Sequence, residues 1–320
     1  MNQGRDPADP DYEARLAVEA QRWSELGRQR YDRTNWLHSR IVLQHINARI
    51  TGHADVSWHE TALAHFLPRP FWGGLGLALG CNDSGFERAI VRTGVCARLD
   101  GYDLSPAAVA GAAATALAEG LPMHFHVADV NTLELPPDRY ALATVIMALH
   151  HFERLEHVCG QVHRALRPDG LFAFDEFVGP TRFQWTKDQV DAANELRRRL
   201  PPQLRRLPDG SDVGDVQVPE LERMRRDDPF EAIRSEEILP IVRDTFRVLT
   251  QRDYGGTVLH LALQTILANF DEQDPEHAAI LQAMCDQEWA WLSSGQLPSD
   301  FTVVIACRKD APVARFPIGQ

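Results

Sequence analysis

Along the middle of the chain, short apolar runs alternate with amphipathic stretches. Residues 74–79 (GLGLAL), 96–104, 123–130, 140–149 (YALATVIMAL) and 171–178, six to ten residues long, read as strands, the first and fourth as continuous apolar runs. Between them, 87–93, 106–119 and 155–166 carry helical periodicity, and Ser105-Pro106 is a helix start. Arg167-Pro168-Asp169-Gly170 reads as a tight turn. Such alternation predicts right-handed βαβ crossovers and a parallel sheet covered on both faces. Outside this stretch the pattern differs. Residues 11–65 read as mostly helical, with a stop at Thr51-Gly52 and a further helix through 58–66 ending at Pro68-Arg69-Pro70. Beyond Gly179-Pro180 come helices over 186–200, before Asp228-Pro229, and from Ser235. Phe246–Tyr254 then reads as a sixth strand, 257–270 and 276–293 as helices, and Phe301–Cys307 as a last strand.

The expected architecture is α/β: a Rossmann-like, seven-stranded, mostly parallel sheet with N-terminal helices and a helical cap. The segments are 1–66 (N-terminal helices), 67–180 (ligand-binding core), 181–244 (cap) and 245–320 (end of the sheet with inserted helices).

Charge and composition narrow the partners. The net charge of −12 disfavours a nucleic-acid surface, and 44% hydrophobic residues suit a protein with a real core. The arginines at 197–199, 205–206 and 223–226 read as a solvated face laced with Asp and Glu, or as a dock for an anionic group. Five scattered cysteines without a Cys-x-x-Cys pair suit a reducing cytoplasm. No apolar run is long enough to span a membrane. A small-molecule substrate is the expected partner, and a homodimer is compatible with all of this.

Ligands of such sheets bind beyond the carboxyl ends of the strands. After the first strand comes Gly80-Cys81-Asn82-Asp83-Ser84-Gly85, where Gly80 lets the backbone turn sharply. After the second comes Asp103, whose carboxylate can accept both hydroxyls of a ribose. A dinucleotide needs close glycines for its pyrophosphate, but here Asn82 and Ser84 stand in those places and Asp83 adds negative charge. Asp129-Val130-Asn131 follow the third strand. Asp129 can receive an adenine amine, with Leu104 and Val130 on the ring faces. Met147-Ala148-Leu149-His150-His151 follow the fourth strand, and Asp175-Glu176 end the fifth.

These motifs, LALGC-x6-E, GYDLSP, ADVNTLELP, ALHHFERLEH and ALRPDGLF in order, resemble those of class I S-adenosylmethionine-dependent methyltransferases over about 75–180. DEFVGPTRFQW, DPFEAIRSEEI and YGGTVLH resemble a bacterial branch with a helical cap. The resemblance implies S-adenosylmethionine as cofactor. Gly80, Cys81 and Asn82 would line its methionine part, Asp103 the ribose, Leu104, Asp129, Val130 and Asn131 the adenine end, and Met147 the sulfonium. It also implies methyl transfer, with a hydroxyl of a natural product or glycan precursor as the favoured acceptor; carbon or nitrogen acceptors, a non-methylating member and a nicotinamide-dependent oxidoreductase are the alternatives. Two departures from the family pattern stand out: Ala78 where an acidic residue is common, and Asn82-Asp83-Ser84 in place of Gly-x-Gly.

A hydroxyl acceptor needs its proton removed, and a positioned base contributes ~10²–10⁴-fold. His150, His151 and Glu176 are the candidates, with Asp175 facing the opposite side of the sheet. Glu176 could instead pair with a cap arginine such as Arg182. Arg182 and Trp185 are candidate substrate contacts. His124 and His126 read as packing residues. His59-Glu60 lacks the second histidine of a zincin helix, and no cluster has local ligand spacing, so no metal is expected.

Overall fold

In a computed structural model of the chain, residues 10–26, 35–58 and 73–311 are described. The expected helix through 58–66, the Pro68–Pro70 stop and His59-Glu60 lie largely or wholly outside them. Helices α1 (Pro10–Leu26) and α2 (Arg40–Thr51) precede the sheet. The core then runs β1 (Gly74–Leu79), α3 (Gly85–Arg92), β2 (Cys96–Asp103), α4 (Pro106–Ala118), β3 (Met123–Val127), β4 (Tyr140–Ile146), α5 (Leu155–Ala165) and β5 (Leu166–Phe177). Beyond β5 lie α6 (Lys187–Arg199) and α7 (Leu221–Asp227). After them come α8 (Ile238–Thr245), β6 (Phe246–Gly255), α9 (Leu259–Leu263), α10 (Pro275–Ser293) and β7 (Phe301–Arg308).

The seven strands form one sheet in the order β3-β2-β1-β4-β5-β7-β6. The first five are parallel, and β7 runs antiparallel between β5 and β6. The central strands are apolar throughout because both faces are buried. Along β5, Leu171 and Ala173 enter one core while Phe172 and Phe174 enter the other; along β7, Val303 and Ile305 oppose Val304 and Ala306 in the same way.

Local chemistry sets the helix ends. The Ser39 and Ser105 hydroxyls accept from the Val42 and Ala108 amides, and Gly52 closes α2 in a left-handed conformation at φ 82°. Thr186 and Gln189 form a reciprocal capping box on α6. Two expectations need adjustment. Residues 167–170 are no free turn: β5 already pairs through Leu166, and the excursion is a bulge before pairing resumes at Leu171. The helix expected over 257–270 stops at Leu263, where Gln264 turns extended and Thr265 takes φ 70°, before a short 3-10 turn at Leu267–Asn269.

Candidate active site

A cavity of about 460 Å³ lies beyond the carboxyl ends of β1, β2, β3 and β4. Gly80, Cys81, Asn82, Asp103, Leu104, Asp129, Val130, Asn131 and Met147 all line it, so the geometry gathers every residue expected around a nucleoside cofactor. Gly80 is required where it stands. Its φ is 66°, and a Cβ there would meet the Ala148 Cβ at 2.6 Å.

The loop that lacks the usual glycines keeps a tight turn. Asn82 and Ser84 both hold positive φ, 38° and 56°, conformations that glycine adopts without strain. Hydrogen bonds hold them there. The Asn82 amide donates to Asp103 Oδ2 at 2.9 Å, the Ser84 amide to the Cys81 carbonyl at 2.6 Å, and the Arg88 guanidinium to the Asp83 carbonyl and the Ser84 hydroxyl. Asp103 also accepts from the Ser105 amide at 2.8 Å, so one carboxylate fixes the β1 loop and the β2 end together. Burial pushes its pKa up, and the two amides oppose that rise.

Sequence reasoning missed the roof. Tyr12, Leu16, Glu19 and Trp23 recur at helical spacing on α1; the last three line the cavity, and the Tyr12 hydroxyl donates to Asp129 Oδ2 at 2.7 Å. Asp129 Oδ1 accepts the amide and side chain of Asn131. At the other end of the roof, Trp23 donates to Glu19 and meets the His151 ring edge-on at 5.2 Å. Glu87, at the start of α3, is also in the lining, and burial raises its pKa to about 8.

A second cavity, about 680 Å³, shares Asn35, Leu37 and Met147 with the first. Trp36, Phe177, Phe183, His260 and Phe301 give it aromatic walls. Burial lowers the His260 pKa to about 4, so this imidazole is neutral at pH 7. Glu220, Asp227, Asp228 and Glu231 add carboxylates, partly offset by Arg22 and Arg223. Arg22 and Asp228 are ion-paired at 2.8 Å.

The histidine pair sits where the two cavities meet. His151 faces the first and His150 the second, with ring centroids 4.2 Å apart. Glu176 is fully buried behind them. It accepts the amides of Ala148, Leu149 and Phe177 and a close contact from His150 Nδ1. Its oxygens are thus engaged, and it orients His150 rather than reaching a ligand. Burial opposes charge on His150, but Glu176 and Glu231 overcome it and raise the imidazole pKa. Asp175 faces the other side, as the strand period requires, accepting from Trp58 and Tyr254.

The two cap candidates fall elsewhere. Arg182 lies in an outer groove, and its guanidinium donates to the carbonyls of Asp228, Pro229 and Glu231. It bolts the cap loop that carries Glu231, and Glu176 pairs with His150 instead of with it. Trp185 is buried and stacks on Phe183 at 4.9 Å, supporting that cavity wall from behind. His126 stacks on Tyr102 at 5.0 Å, a packing role. All five cysteines are free and buried. Among the described residues, no helix is long and apolar enough to cross a membrane.

Comparison with known proteins agrees with this architecture. Residues 77–170 match the family model of a methyltransferase domain. A demethylmenaquinone methyltransferase of Thermus thermophilus is 28% identical over 137 residues, which is 43% of this chain and 61% of that protein. Among solved structures, the geranyl diphosphate C-methyltransferase of Streptomyces coelicolor superposes with a TM-score of 0.53 at 12% identity, covering 95% of this chain and 100% of the other. The Haemonchus contortus phosphoethanolamine N-methyltransferase 2 does so at 0.50 and 14%, covering 89% and 60%. At such identities the likeness is one of fold. Residues 77–170 therefore carry a methyltransferase domain. The Streptomyces coelicolor structure contains S-adenosyl-L-homocysteine and the Haemonchus contortus structure S-adenosyl-L-methionine.

Proposed function

We propose that the protein transfers the methyl group of S-adenosylmethionine to a small molecule held in the aromatic-walled cavity, most readily to a hydroxyl oxygen. The observation that carries this reading is the junction. Two cavities share Met147, and the His150–His151 pair lies between them. Asp103 holds the ribose diol, Asp129 and Asn131 the adenine edge, and Leu104 and Val130 its faces. Gly80, Cys81 and Asn82 line the methionine part. Asp129 Oδ2 exchanges its Tyr12 partner for the adenine amine when the cofactor enters.

The transfer is an in-line displacement. The acceptor oxygen forms a bond to the methyl carbon while the carbon–sulfur bond breaks, and its electron pair leaves on sulfur as neutral S-adenosylhomocysteine. Holding donor and acceptor in near-attack geometry supplies up to ~7–11 kcal/mol. The hydroxyl proton passes to the His150–His151–Glu231 face, with Glu176 fixing the His150 ring.

A second reading has its own support. Four carboxylates among aromatic walls also suit an amine-bearing acceptor, which makes nitrogen methylation the nearest rival. Five buried free thiols fit the reducing cytoplasm. Incubation with methyl-13C cofactor and a panel of hydroxyl- and amine-bearing acceptors tests the proposal. An O-methyl carbon resonance in the product supports it, an N-methyl resonance moves the reading to the rival, and binding without any S-adenosylhomocysteine formed overturns methyl transfer.

A further inference from the structure

We propose that His150, His151 and Glu231 bind one divalent first-row transition-metal ion where the two cavities meet. Glu231 lies far along the chain from the histidines, in the DPFEAI segment of the cap, so local ligand spacing gave no sign of this cluster. The cap loop brings its carboxylate to both rings. His150 Nε2 stands 3.4 Å from Glu231 Oε1 and His151 Nε2 4.0 Å from Glu231 Oε2. One ligand atom from each residue lies within 4.8 Å of the others. These separations are long for hydrogen bonds. They suit the edges of a coordination polyhedron: metal–ligand bonds of about 2.1 Å give a tetrahedral edge of about 3.4 Å.

The surroundings are those of a built metal site. In each ring Nε2 faces Glu231 while Nδ1 is turned to a carboxylate behind it. For His150 this is the buried Glu176, held by three backbone amides; for His151 it is Glu19 Oε1 at 3.2 Å. A carboxylate hydrogen-bonded behind the ligating histidine, as Glu176 is behind His150, fixes the ring and strengthens the donor, whereas His151 Nδ1 only lies near Glu19 without a hydrogen bond. Buried oxygens without a hydrogen-bond partner stand close by: Glu19 Oε2 and Asp228 Oδ1, each on a residue more than nine-tenths buried. Three buried carboxylates, Glu19, Glu176 and Asp228, and the partly exposed Glu231 therefore surround two imidazoles, with Arg22 paired to Asp228. That excess of negative charge favours a dication. Two nitrogens and one oxygen select zinc, iron(II) or cobalt over magnesium or calcium. Three protein ligands leave positions open for an acceptor oxygen beside Met147. Only this last use rests on the methyl-transfer reading.

Metal-free protein, prepared with a chelator, is titrated with Co²⁺ and followed by visible absorption, and with Zn²⁺ by calorimetry. The proposal expects one equivalent bound, with affinity falling at least about tenfold in Glu231→Gln and in His151→Asn at unchanged far-UV dichroism. X-ray absorption on the zinc-loaded wild type, which needs no variant, should show two imidazoles in the coordination shell. Absence of stoichiometric binding, a shell without imidazole, or binding unaltered in both folded variants overturns the site. The two readings fail separately. Absence of stoichiometric metal with cofactor binding and methyl transfer intact would remove the metal and leave the methyltransferase. Stoichiometric metal without any cofactor affinity would do the reverse.

Discussion

The proposed cofactor half and the proposed acceptor half of the site are built by different rules. The cofactor half uses consecutive strand ends, with Gly80, Asp103, Asp129 and Met147 following β1, β2, β3 and β4 in chain order. The acceptor half is assembled from distant pieces: Trp36 from the N-terminal region, Phe177 from the end of β5, Phe183 and Glu231 from the cap, and Phe301 from β7. In the proposed reading a repeating fold carries the cofactor, while residues far apart in sequence carry the acceptor, where specificity can vary without disturbing the sheet.

The sharpest break between the halves is at Glu176. Glu176→Ala would leave the Ala148, Leu149 and Phe177 amides and His150 without their acceptor, costing about 3–5 kcal/mol in denaturant unfolding. Glu288 is its counterpart away from the site, accepting the Gly256, Val258 and Leu259 amides. Glu288→Ala should cost a similar amount of stability, but only the Glu176 change should alter kcat in molecules that remain folded.

Asp103→Ala should weaken S-adenosylmethionine binding about 100-fold or more in calorimetry, because two loop amides and the ribose lose one acceptor. Acceptor-side variants should leave that affinity nearly unchanged. Equal losses from both halves would erase the distinction.

Glu87 supplies a pH signature on the cofactor side. Its folded pKa, about 8, lies above the ordinary carboxyl value because the group is buried. The folded state therefore holds a proton that the unfolded state releases between about pH 5 and 8. Its contribution to stability is greatest in acid and is lost as pH rises through 8. In free protein, Glu87→Gln should flatten the fall in unfolding free energy between pH 5 and 7 by on the order of 2 kcal/mol. The smallest effect belongs to the acceptor wall: Phe183→Ala should raise the acceptor KM about tenfold at constant cofactor affinity.

What the sequence disclosed follows the same division. Strand ends were legible because period and glycine placement repeat along 74–178, and Asp103 and Asp129 could be placed at the cavity from position alone. The altered loop looked like a damaged glycine motif, yet Asn82 and Ser84 adopt the left-handed backbone themselves, braced by Asp103 and Arg88. Glu176 looked like a base because its position said nothing of the three amides that engage it. Glu231 and the α1 roof were hidden for another reason. Only tertiary packing decides which face of α1 covers the cavity, although the spacing of Tyr12, Leu16, Glu19 and Trp23 was in plain view.

A crystal structure of the protein with S-adenosylhomocysteine tests most directly whether the two cavities form one site. The account predicts ribose hydroxyls on Asp103, the adenine amine on Asp129, and the sulfur beside Met147, facing the aromatic cavity. Homocysteine sulfur turned away from that cavity, or ligand bound elsewhere, would contradict it.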